Sequence, residues 1–171
     1  MKDTLEKINR MLADGVIEKY AIGGGVGATY YLEPTATLNL DIFVTVLDDS
    51  GNSSKPLSSI YEYLTKRGCK PEGEHIVIGT WPVQFLSPNG MLEKEALSEA
   101  IQTDAGGVST WVLKAEHLVA IALQTGRKKD HARILQFFEQ KAVDRDKLHK
   151  ILARHGLLTK WTNFKKRFLD E

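Results

Sequence analysis

Residues 38–47 read LNLDIFVTVL, a run of apolar and β-branched side chains broken by one carboxylate, Asp41. Such a run fits a mostly buried strand. Alternation along the strand puts Asn39 and Asp41 on one face. A carboxylate placed there is costly unless it is paired, hydrated or bound to a metal, which makes Asp41 the leading candidate for a functional acid. An Asp at the rim of the sheet, facing water, is the alternative.

One helix upstream, Ala21-Ile22 runs into Gly23-Gly24-Gly25, and residues 26–31 resume with helix-compatible side chains. This is a strand, a glycine turn and a helix start. Without side chains, such a turn lets phosphate oxygens approach backbone amides at the positive end of a helix. The same residues also suit a plain tight turn.

The rest of the chain supplies the frame. Leu5, Ile8, Met11, Leu12 and Val16 predict a helix over 3–17, with Gly15 near its end, and Asp48 to Asn52 closes the Asp41 strand. Leu57, Ile60, Tyr61 and Leu64 mark a helix that stops at Gly68. Residues 75–86 read as a hairpin, with Pro82 at an edge or a strand start, and 108–113 as a last strand. From Lys114 onward the spacing is helical. The order predicts an α+β fold, a mixed sheet with flanking helices, divided into a core over 1–112 and a C-terminal helical subdomain over 113–171.

With 42% apolar residues in 171, the chain can bury one substantial core. Its net charge of +1 excludes a generally basic nucleic-acid binder, but the charge is uneven. Residues 126–171 hold 13 Lys/Arg against 6 Asp/Glu, and the preceding 125 residues hold 10 against 16. Within the basic part, Arg127, Lys128, Lys129, His131 and Arg133 cluster at a helix start, where cations can meet a triphosphate, an acidic partner or only solvent. Asp130 reads as the cap of that helix. The single cysteine, Cys69, has no partner for a disulfide or a zinc site. His75, His117, His149 and His155 lack metal-ligand spacing and read as structural or surface residues. Trp161, Phe164 and Phe168 form the apolar stripe of a basic terminal helix, which reads as packing. No apolar run approaches membrane-spanning length and the first residues are charged, so a cytoplasmic protein is expected.

The stretch AIGGGVGATYYLEPTATLNLDIFV resembles the signature of the nucleotidyltransferase superfamily with the DNA polymerase beta-like fold: a hydrophobic-Gly-Gly/Ser turn, then an Asp-hydrophobic-Asp/Glu strand. It is similar in particular to bacterial nucleotidyltransferase-like proteins related to the toxins of type IV toxin-antitoxin systems. Further on, AEHLVAIALQTGRKKDHARILQFFE resembles the helix pair that follows the catalytic core in that group. The resemblance implies magnesium-dependent transfer of a nucleoside monophosphate from a nucleoside triphosphate to a hydroxyl on an unidentified protein, RNA or small molecule. It also implies catalytic and metal-binding roles for Asp41 and Asn39, and nucleotide contacts from Gly23, Gly24, Arg127, Lys129 and Arg133. Two positions depart from the pattern: Asn39 and Gln84 stand where acids are expected, so Asp41 alone remains of three. Each such change removes a negative charge from the metal. The second expectation is therefore a catalytically weakened nucleotide-binding or protein-interaction module, within a toxin-antitoxin or regulatory pair.

Overall fold

The computed structural model describes residues 1–46, 50 and 57–171. Its elements are α1 (Lys2–Ala13), β1 (Lys19–Gly23), α2 (Gly24–Ala28), β2 (Leu40–Thr45), α3 (Ser58–Lys66), β3 (Lys70–Glu72), β4 (His75–Ile78) and β5 (Trp81–Leu86). There follow α4 (Met91–Ser98), β6 (Ile101–Ala105), β7 (Val108–Val112), α5 (Ala115–Thr125), α6 (Lys128–Glu139), α7 (Arg145–Arg154) and α8 (Leu158–Phe168). The end of the Asp41 strand at Leu47 and most of the turn expected over 48–52 lie outside the described residues.

The strands form one mixed sheet in the order β3-β4-β5-β2-β1-β7-β6. At its centre β2 runs antiparallel to β1 and parallel to β5. That position explains the apolar run, because both faces of β2 are covered. Leu40, Ile42 and Val44 join Leu5, Ile8 and Met11 of α1 and Ile60 and Leu64 of α3 in one apolar cluster. Phe43 turns the other way, into a cluster with Ala21 of β1, Leu118 and Leu123 of α5, and Phe137 of α6. Asp41, two residues before Phe43, shares that second face, toward the C-terminal helices.

Several elements depart from the sequence expectation. The first helix ends at Ala13, where Gly15 at φ +72° turns the chain and leaves Val16 beyond the helix. Leu38 and Asn39 precede β2 instead of belonging to it, and Leu38 is exposed. Pro82 is the second residue of β5, which lies between β4 and β2, so it is accommodated at a strand start rather than a sheet edge. Strands β3 and β6 and helix α4 were not anticipated. Both strands are edges with largely exposed side chains, which leaves no apolar alternation to read. Trp161 and Phe164 of α8 are buried in the second cluster, as the stripe predicts. Among the described residues no helix is long and apolar enough to cross a membrane.

Candidate functional site at the glycine turn

The glycine turn and Asp41 meet because β1 and β2 are antiparallel neighbours with Gly23 directly opposite Asp41. On the other side of β2, the parallel register sets Gln84 of β5 beside Asp41. The three glycines serve different ends. A Cβ on Gly23 would lie 2.7 Å from Cε2 of Phe43 and 3.4 Å from Leu113, so this residue makes room for the Phe43 ring. It lines neither of the cavities at the site. Gly24 sits at φ +58°, and a Cβ there would collide with Oδ2 of Asp41. At Gly25 a Cβ would meet Thr37 at 2.9 Å and Nη2 of Arg133 at 3.3 Å. The turn is thus pressed between the Asp41 carboxylate and an arginine of α6.

Two cavities open here, of about 430 and 260 Å³, and Asp41 and Arg133 line both. The larger has Thr35, Thr37, Asn39, Lys129 and Gln136 on its walls beside Leu32 and Leu38. Phe43, Leu86, Leu113, Leu118 and Ile121 line the smaller together with Gln84, Thr125, Arg127 and Asp130, so apolar and polar groups share its walls. Glu33 lines the larger cavity, while Glu72 at the end of β3 and Glu74 in the turn after it line neither.

Burial pushes the Asp41 carboxyl above the usual carboxylate range, against the opposing pull of Lys129, Arg133, Arg127 and, last, His75. Asn39 Nδ2 donates to Asp41 Oδ1 at 2.6 Å. Asp130, fully buried, holds two of the cations from behind. Its Oδ2 accepts from the backbone N–H of Arg127 at 3.1 Å and from Arg127 Nε at 2.7 Å, and Oδ1 lies 3.5 Å from Arg133 Nη1. The N-cap of α6 is Arg127, and Asp130, three residues on, completes a capping box with it while clamping two guanidinium groups. The spacing of Arg127 and Arg133, three residues to either side of Asp130, was the available signal for it. Lys129 is exposed and makes no ion pair among the described residues. Lys128 lines neither cavity, and the His131 ring packs on Phe164 and Phe168.

A second polar cluster lies between α4, α5 and α7. Glu95 receives Arg154 Nε at 3.0 Å and Nη2 at 3.1 Å, with His117 Nε2 at 2.8 Å and His155 Nε2 at 3.3 Å. Glu99 lies 3.6 Å from His117, so Glu95, Glu99 and His117 could together hold a metal ion, a grouping that histidine spacing along the chain does not reveal. Burial acts to raise the Glu95 carboxyl, but the contacts from Arg154, His117 and His155 outweigh it and hold it at about 2. With the folded value below the ordinary 4.5, this stabilisation is present above about pH 4.5 and is lost as pH falls toward 2. Glu95→Gln should cost about 2 kcal/mol at pH 7, a melting-temperature drop of about 4–8 °C in a chain of this size. Melting curves of the two proteins should converge as pH is lowered through that window. A constant gap would show that Glu95 acts through packing alone.

No protein-family model matches the chain, and no curated protein matches it in sequence. The fold, a seven-stranded mixed sheet with helices on both faces, is that of nucleotidyltransferase-like proteins. An antigenic nucleotidyltransferase-like protein from Paracoccidioides brasiliensis superposes with a TM-score of 0.63 at 10% identity, over 99% of this chain and 90% of that one. The antibiotic-resistance factor ANT(2'')-Ia superposes with a TM-score of 0.53 at 11% identity, over 98% and 96% of the two chains. At such identities the likeness is one of fold.

Proposed function

We propose that this chain binds a nucleoside triphosphate in the cleft between the glycine turn and α6. The observation that carries the reading is the convergence of Lys129, Arg133 and Arg127 on Asp41 beside the side-chain-free turn, which touches both the Asp41 carboxylate and Arg133. Phosphate oxygens suit this arrangement, since guanidinium groups present paired N–H donors and Lys129 a mobile point charge. Thr35, Thr37 and Gln136 add uncharged polar groups on the larger cavity's wall, suited to ribose or base.

A second reading is nucleotidyl transfer to a hydroxyl on a protein, RNA or small molecule. The parallel register sets position 84 beside Asp41, where the superfamily pattern expects a third acid, so the strand geometry fits this reading while the amide of Gln84 counts against it. The sequence resemblance suggests a toxin-antitoxin or regulatory pair as the setting for either reading.

Titration of the chain with a fluorescent nucleoside triphosphate tests the first reading. Lys129→Glu, at an exposed helix position, should weaken binding by about tenfold at low salt. That loss should shrink as salt rises, since charges at an exposed site are screened over about 8 Å at physiological ionic strength. Unchanged affinity in the variant would return Lys129 to the solvated surface. Labelled-nucleotide transfer onto cell lysate tests the second reading, and no labelled product under any condition removes it.

A further inference from the structure

We infer that this cleft takes the polyphosphate chain of its ligand without a divalent cation, Arg133 and Lys129 supplying the positive charge a metal would otherwise bring. The inference rests on the nucleotide-binding reading and goes beyond it by naming the ionic form of the ligand. The donor set argues first. A magnesium ion bridging protein and phosphates takes its protein ligands from carboxylates, and two-metal chemistry needs several around one point. Here Asp41 is flanked by two amides, Asn39 and Gln84, and Asp130, which lines the smaller cavity with it, has its carboxylate taken up by Arg127 and Arg133.

Asp41 is also already engaged. One of its oxygens accepts the Asn39 amide, and the other lies against Gly24. Among the described residues, the one group of three or more His, Cys or acidic residues close enough to share an ion is Glu95, Glu99 and His117, which excludes Asp41. Charge argues next. Three cations act on Asp41, and a divalent ion brought to its carboxylate would meet their repulsion.

Position completes the argument. Arg133 lines both cavities, its side chain 20% exposed, with Nη2 against the glycine turn and Asp130 fixing Nη1 from behind. Its guanidinium is held where it can donate into the cleft with little further ordering, which is the condition for a strong oxyanion contact. Lys129, free of ion pairs among the described residues, can close on the same anion from the exposed side.

Calorimetric titration of the full chain with ATP and with inorganic tripolyphosphate, each in EDTA and then in excess magnesium, tests this. Both ligands should bind in EDTA, and magnesium should weaken them, because the complexed polyphosphate carries less charge. Arg133→Gln should lower metal-free affinity by about tenfold. Lys129→Gln, on the exposed helix face, provides the same readout if the first variant folds poorly. Asn39→Asp with Gln84→Asp should reverse the sign, so that magnesium strengthens binding. ATP binding that appears only with magnesium would overturn the inference and leave nucleotide binding standing. Tripolyphosphate binding in EDTA without ATP binding would support the metal-free anion site and remove the nucleotide reading. Binding of neither ligand in either condition would overturn both.

Discussion

Replacing Asp130 by Ala should destabilise the protein by about 3 kcal/mol and lower its melting temperature by about 6–12 °C. Asp130 is 1% exposed and holds Arg127 by backbone and side chain while facing Arg133. Its removal leaves the Arg133 guanidinium, itself mostly buried, facing only Asp41 as a counter-charge. The estimate sits at the low end for a broken buried ion pair because Arg127 is 56% exposed and can rehydrate. Asp130→Asn should fall between, since the amide oxygen still accepts from the Arg127 backbone N–H. If Asp130→Ala melted within about 2 °C of the parent, less than 1 kcal/mol on this scale, the clamp would be idle and orientation of the arginines would need another cause.

Gly24→Ala should cost a similar amount, about 3 kcal/mol, from two separable sources. The left-handed backbone at φ +58° accounts for about 1 kcal/mol of it. The remainder comes from the collision of the new Cβ with Asp41 Oδ2. Asp41→Ala removes the second source alone. The double variant Gly24→Ala/Asp41→Ala should therefore be more stable than the two single effects predict by about 2 kcal/mol, a coupling that chemical denaturation of all four proteins measures. Strict additivity would mean that the turn and the carboxylate do not touch.

That coupling also shows which parts of the site were legible along the chain. The glycine turn, the apolar strand and the lone acid are local patterns, and they lie side by side because strands consecutive in the chain pair as antiparallel neighbours. Gln84 was placed beside Asp41 by resemblance, and the parallel β2–β5 register sets it there. The resemblance implies a nucleotide contact from Gly23, and the structure sets the Phe43 ring where its side chain would be. No spacing rule shows which glycine of three is opposed by a side chain from the next strand, because the pleat decides that only once the strands are paired.

What the sequence by itself determined is the set of elements whose residues report on their own burial: the amphipathic helices, the doubly covered β2, the packed stripe of α8. Short exposed β3 and β6 left no such trace, since a strand with water on its side chains has no apolar period. The tertiary structure alone decided where charges end up. Glu95 and His117 lie 22 residues apart, and Glu95 and Arg154 lie 59 apart, yet they form one network. Arg133 and Gly25, far apart in sequence, lie against each other at the cleft. Electrostatic partnership depends on distance and burial in three dimensions, and a charge written along the chain carries neither until packing has brought its partner and excluded the water.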